Sequence, residues 1–112
     1  MGVAVIASER EYIQALSLDR FVVIDAGAEW CRPCKKLAPV FAKEAKKAEQ
    51  EAAFYKYDID IQPALTDRLQ IESVPTVLFY DTGREINRLV GPTPKELAAA
   101  VKRLLSSNVQ QL

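Results

Sequence analysis

Phe21-Val22-Val23-Ile24 is an apolar run uninterrupted by any polar residue. A strand with one face in water alternates apolar and polar side chains, whereas an unbroken run belongs to a strand covered on both faces. Such a strand needs helices above and below it, so this run restricts the chain to a layered α/β arrangement. The next segment supplies one of those helices. From Cys31 to Gln50, the apolar residues Leu37, Phe41, Ala45 and Ala48 recur every three or four positions, with Lys36, Lys43, Lys46 and Lys47 mostly on the other side. That spacing predicts a long amphipathic helix. Pro39 lies inside it, removes a backbone donor and crowds the preceding turn, so a kink is expected there.

The remaining elements follow from the same signals. Val3 to Ile6 is a short strand-like run, and Ser8-Glu9-Arg10-Glu11 reads as a capping box opening a helix, with Ile13 and Leu16 expected on its buried side. Phe54 to Ile59 alternates as a strand. Pro63 starts a short helix carrying Leu65 and Leu69 on one face. Thr76 to Tyr80 is strongly β, and Asp81-Thr82-Gly83-Arg84 is a hairpin turn leading into Ile86 to Val90. Thr93-Pro94-Lys95-Glu96 is a second capping box with proline at the first helical position, and Leu97, Val101, Leu104 and Leu105 form the buried stripe behind it. The expected order is β-α-β-α-β-α-β-β-α. Early β-α-β units imply parallel strands joined by right-handed crossovers, and the late hairpin adds an antiparallel edge. The fold class is α/β, a five-stranded mixed sheet with four helices on both faces. Residues 1–107 are expected to form one domain and 108–112 a frayed tail within the segment from Ser106.

Composition excludes several functions. Lysine plus arginine balances aspartate plus glutamate at 15 each, so neither nucleic acid nor an anionic membrane is the expected main partner. There is no histidine, which removes Ser-His and Cys-His catalysis and every histidine-containing metal site. No apolar run approaches the length of a membrane span. Met1 to Ala7 is too short and lacks the basic lead-in for a signal-peptide core, and Ile6 stands where a myristoylation motif requires Ser or Thr. A cytoplasmic location is expected. There, a close cysteine pair is more often redox-active or metal-binding than structural.

Trp30-Cys31-Arg32-Pro33-Cys34-Lys35 falls where the second strand ends and the long helix begins. Unpaired N–H groups and the positive dipole end at a helix N-terminus favour a thiolate over a thiol. Arg32, Lys35 and Lys36 add positive charge. Cys31, first in the turn, is expected to be the nucleophile, and Cys34, one turn further in and more shielded, to resolve the mixed disulfide. Pro33 stiffens the small ring. The competing readings are weaker. A zinc or iron–sulfur site would need a second pair of ligands from another chain, and a structural disulfide closing so small a loop stabilises little. No GxGxxG or P-loop is present, so no cofactor beyond the Cys31–Cys34 couple and no metal is expected.

Over almost its whole length the sequence resembles the thioredoxin family. The matching residues are Asp25, Ala28-Glu29-Trp30-Cys31, Pro33-Cys34-Lys35, Pro39, Lys56, Asp60, Val74-Pro75-Thr76, Gly83 and Gly91. The resemblance implies the thioredoxin fold and reduction of disulfides in protein substrates. It also implies recycling by a separate thioredoxin reductase, NADPH-dependent rather than ferredoxin-dependent, and a monomer. It assigns catalysis to Cys31, Cys34, Asp25 and Lys56, with Asp25 helping to take the proton from Cys34 near Lys56. It assigns substrate binding to Trp30, Pro33, Val74, Pro75 and Gly91, with a cis Val74-Pro75 peptide facing the disulfide, and the charge of Arg32 adds that residue to the expected binding surface. Each assignment has a plainer counterpart: a buried Asp25–Lys56 ion pair, a strand-entry Pro75, a turn Gly91, a core Trp30. A thiol oxidase, a disulfide isomerase and a partner-binding subunit on the same fold stay open as alternatives.

Two departures from the family pattern stand out. Ala26-Gly27 occupies the place of two aromatic residues, which either loosens packing around Asp25 or opens room for a different partner. Arg32 replaces a glycine between the cysteines. A guanidinium there favours the Cys31 thiolate, stabilises the dithiol form and makes the couple more oxidising; it also suits acidic partners. An Arg32→Gly variant is therefore expected to have a lower potential, by about 30 mV or about 1.4 kcal/mol for a two-electron couple. Titration in glutathione buffers reads it, and an unshifted potential means that Arg32 is a solvated side chain without effect on the couple.

Overall fold

A computed structural model describes residues 2–18 and 20–110. The elements run β1 (Ala4–Val5), α1 (Glu9–Leu16), β2 (Phe21–Gly27), α2 (Arg32–Lys47), β3 (Ala52–Asp58), α3 (Pro63–Arg68), β4 (Thr76–Asp81), β5 (Arg84–Val90) and α4 (Pro94–Gln110). The five strands lie in the order β1-β3-β2-β4-β5, with β1, β3 and β2 mutually parallel and β4 and β5 antiparallel.

The apolar run sits in the central strand, and Val22, Val23 and Ile24 are fully buried. Alternate residues of β2 serve two separate cores. Phe21 and Val23 join Leu37 and Phe41 of α2 and Leu97, Val101 and Leu104 of α4. Val22, Ile24 and Ala26 join Tyr12 of α1 and Leu65 of α3 on the opposite face. Burying a side chain of this size contributes about 1.5–3 kcal/mol, so β2 anchors both helical layers.

Local sequence signals set the element ends. The Glu11 N–H donates to Ser8 Oγ (3.1 Å), and Glu11 Oε1 accepts from the Ala7 N–H (2.8 Å), one residue before the usual capping-box donor. In α4 the box is fully reciprocal between Thr93 and Glu96. Helix α2 is shorter than the expected 31–50 span, because Cys31 is its N-cap and Ala48 its C-cap, and it continues through Pro39. In α1 the buried residues are Tyr12 and Ala15, while Ile13 is exposed and Leu16 only half-buried. The correction has a tertiary cause: the Tyr12 hydroxyl meets that of Tyr80 of β4 at 3.1 Å on the face that α1 covers, which turns the neighbouring Ile13 outward. Helix α4 extends to Gln110, beyond the expected start of the tail, since no glycine or proline interrupts it; residues 111 and 112 lie outside the described residues.

The β4–β5 hairpin turns at Thr82 and Gly83, with φ of 51° and 83°. Positive φ at both central residues is the turn that matches strand twist. A Cβ on Gly83 would meet the Leu16 carbonyl oxygen at 3.0 Å. Gly83→Ala is therefore expected to cost about 1–2 kcal/mol, seen as a lower urea midpoint at unchanged slope; an unchanged midpoint would show that the turn relaxes freely.

Candidate active site

Strand β2 delivers the chain to Gly27, and Ala28 to Trp30 form the turn into α2. The Cys31 N–H donates to the Ala28 carbonyl (3.1 Å), leaving Cys31 as an extended N-cap with φ −88° and ψ 107°. The Cys34 N–H donates to Cys31 Sγ at 3.2 Å, and the Lys35 N–H to the Cys31 carbonyl at 3.2 Å. The sulfur thus takes the place of the usual serine or aspartate oxygen, and a thiolate there receives a helix N–H and the positive dipole end. Cys31 and Cys34 are disulfide-bonded, with Cα atoms 5.2 Å apart, inside the normal range for a disulfide.

Arg32 and Pro33 are exposed at the first two positions of α2. Trp30 is 67% exposed and is not a core residue. Its indole N–H donates to Asp60 Oδ2 (2.7 Å), and the Asp60 N–H donates to Asp58 Oδ1 (2.8 Å), which fixes the ring beside the cysteines. Only the fold brings that acceptor from thirty residues away.

Asp25 is 8% exposed on the α2 face of β2, and Lys56 is its register partner on β3. Burial raises the Asp25 pKa from 3.8 to about 6, with Lys56 pulling the other way. Asp25 Oδ1 is buried with no hydrogen-bond partner among the described residues. A recess of about 440 Å³ joins Asp25, Gly27, Cys34, Lys35 and Lys56, and the exposed side chains of Val5 and Ile61 rim it. Cys31 and Cys34 are both buried, at 3% and 8% exposed. A Cβ on Gly27 would lie 3.5 Å from Cys34 Sγ, at ordinary contact distance.

The Val74-Pro75 peptide is cis. Ala26 pairs with Thr76, which places the preceding Pro75 at the same end of the sheet as Gly27 and the cysteine turn. The Pro75 carbonyl accepts from the Gly91 N–H at 2.8 Å, and Gly91 has a φ of 62°, so these two sequence-predicted residues are joined directly. Among the described residues no group of three or more metal-binding side chains converges.

A thioredoxin family model matches residues 3–103. The chain belongs to the thioredoxin family. It is 43% identical to thioredoxin-2 of Saccharomyces cerevisiae over 103 residues, covering 91% of this chain and 94% of that protein. It is 39% identical to a thioredoxin of Malassezia sympodialis over 100 residues, covering 88% and 95%. The crystal structure of the Malassezia sympodialis thioredoxin superposes with a TM-score of 0.86 over 92% of this chain and 91% of that one, at 38% identity. Thioredoxin 1 of Plasmodium falciparum is 32% identical over 101 residues, covering 90% and 96%. The thioredoxin fold, with its disulfide-bonded cysteine pair at a helix N-terminus, makes the chain a thiol–disulfide oxidoreductase that reduces protein disulfides.

The raised Asp25 pKa fixes a stability dependence. Between pH 3.8 and about 6 the unfolded chain has released this proton while the folded chain keeps it, so stability falls as pH rises through that window. Relative to Asp25→Asn, the oxidised protein is expected to lose on the order of 2 kcal/mol between pH 4 and pH 7. Denaturant unfolding at both pH values measures it, and parallel stability curves would show that Asp25 is not protonated by burial.

Proposed function

We propose that the protein is a dithiol electron carrier in which Cys31 attacks and Cys34 resolves. The observation that carries this reading is the Cys34 N–H donating to Cys31 Sγ at the α2 N-cap, which stabilises a thiolate on Cys31. Reduced Cys31 attacks one sulfur of a substrate disulfide and the other sulfur leaves as thiolate, giving a mixed disulfide. Cys34 then attacks Cys31 Sγ, releasing the second substrate thiolate and closing the Cys31–Cys34 disulfide. Asp25, with Lys56 beside it, receives the Cys34 proton. The unpartnered Asp25 Oδ1 and the recess shared with Cys34 support that route, with a water as the bridge. The substrate segment lies across Trp30, Arg32, Pro33, Val74, Pro75 and Gly91, its backbone pairing beside the Val74-Pro75 peptide.

The working domain is residues 1–107, acting as a monomer. A separate thioredoxin reductase, drawing on NADPH, returns the disulfide to the dithiol, and the chain itself holds no cofactor. A cytoplasmic setting suits this role. It is consistent with balanced charge and with the absence, among the described residues, of any helix long and apolar enough to cross a membrane. Exposed Arg32 favours a second reading, a thiol oxidase or disulfide isomerase, because it stabilises the dithiol form.

Titration against glutathione buffers, followed by Trp30 fluorescence, tests the assignment. A reversible two-electron transition well below the glutathione potential is expected, and Cys31→Ser should remove both the transition and disulfide-reductase turnover. A transition at or above the glutathione potential moves the assignment to an oxidase or isomerase. No transition leaves a partner-binding subunit.

A further inference from the structure

Asp58 has no part in the cycle above, yet three backbone N–H groups converge on it. Its carboxylate Oδ1 accepts from Asp60 (2.8 Å), and its carbonyl accepts from Ile61 (3.2 Å) and Gln62 (3.0 Å). The residue is half-buried at the end of β3, in register with Gly27 of β2. The next N–H, from Ile59, donates to the Gly27 carbonyl at 2.9 Å. The turn after β3 is thereby tied to the strand that leads into the cysteines. Asp60 is exposed in that turn, and its carboxylate accepts from the Trp30 indole N–H at 2.7 Å. Trp30 is itself 67% exposed, so little packing holds its ring. Water competes for both members of an exposed pair, so such a bond orients a ring only when its acceptor is held in place. The Asp58 carboxylate holds it, through the local bond that aspartate makes to the backbone two residues on.

We propose that Asp58 is a positioning residue for substrate binding, which orients Asp60 and, through Asp60, the Trp30 ring on which a protein substrate lies. This rests on Trp30 being part of the substrate surface, and it adds a residue that never touches the substrate. Without the Asp58 bond the Asp60 carboxylate and the indole lose their fixed geometry. Ordering the ring then becomes a cost of binding. The steps at sulfur do not share that cost, because the bonds at the head of α2 run among Ala28, Cys31, Cys34 and Lys35 and none involves the turn after β3. The charge of Asp58 acts separately from its hydrogen bond: Asp58 lines the recess that also holds Asp25, Lys35 and Lys56. A substitution that removes both therefore mixes two effects.

Two substitutions separate them. Asp58→Asn removes the charge and keeps an oxygen for the Asp60 N–H, whereas Asp58→Glu keeps the charge and moves its oxygens a methylene away. Turnover is measured with insulin as the protein disulfide and dithiothreitol as the reductant. Asp58→Glu is expected to raise KM by about three- to tenfold with kcat within about twofold, and Asp58→Asn to stay within about twofold in both. Asp58→Ala should follow the glutamate variant and covers a failure of that variant to fold. Time-resolved anisotropy of Trp30, the only tryptophan, should show fast ring motion increased by about twofold or more in the glutamate and alanine variants alone. A KM that follows the charge, raised by asparagine and unchanged by glutamate, overturns the proposal, as does a ring equally fixed in every variant. Trp30→Ala distinguishes the underlying reading. An unchanged KM there withdraws Trp30 from the substrate surface and the proposal with it, while a raised KM there beside a normal one in Asp58→Glu removes Asp58 alone.

Discussion

Burial of β2 on both faces is the constraint from which the site follows. A strand with Val22, Val23 and Ile24 fully buried must carry helices on each side, and the helix that covers one side, α2, has to begin close to where β2 ends. Its N-terminus therefore opens at the strand's exit, with its unpaired N–H groups directed at the connecting turn. Cys31 sits in that turn as the N-cap. The redox chemistry thus uses a feature that the packing of the core has already created, and four residues between Gly27 and α2 suffice to place it.

The same strand carries the cost of the site. Asp25 continues the buried face that Val23 begins, and it sits there with one carboxylate oxygen unpaired. A buried carboxylate without a full set of hydrogen bonds destabilises the fold, and here the charge of neighbouring Lys56 partly offsets the burial. Raising the carboxyl pKa to about 6 brings it near neutrality, where a group can exchange protons with a thiol during turnover. In the proposed cycle, stability is given up at the point where the Cys34 proton is to be received.

How much was legible in the sequence depends on the range of the interaction. Both capping boxes and the hairpin turn involve residues no more than four apart and read from the residues alone, although Glu11 of the first box accepts from Ala7 and not from Ser8. The first helix does not, because Tyr12 is drawn inward by Tyr80, sixty-eight residues away. Ile13 is the more apolar of the neighbours, but nothing local reveals which face the sheet will cover. Asp60 matched the family pattern without a role until the fold set it against the Trp30 indole.

The parts of the site divide along the same line. The sequence by itself determined a buried central strand, a helix starting at the Cys31 turn and a cysteine pair close enough to bond, since period, capping chemistry and spacing are properties of short segments. Only the tertiary structure decided that Asp25 and Lys56 stand side by side, that Pro75 hydrogen-bonds to Gly91, and that Asp25, Gly27 and Cys34 line one recess. Those are consequences of strand register and of the space left between layers, and space between layers is set by every side chain that lines it rather than by any one stretch of chain.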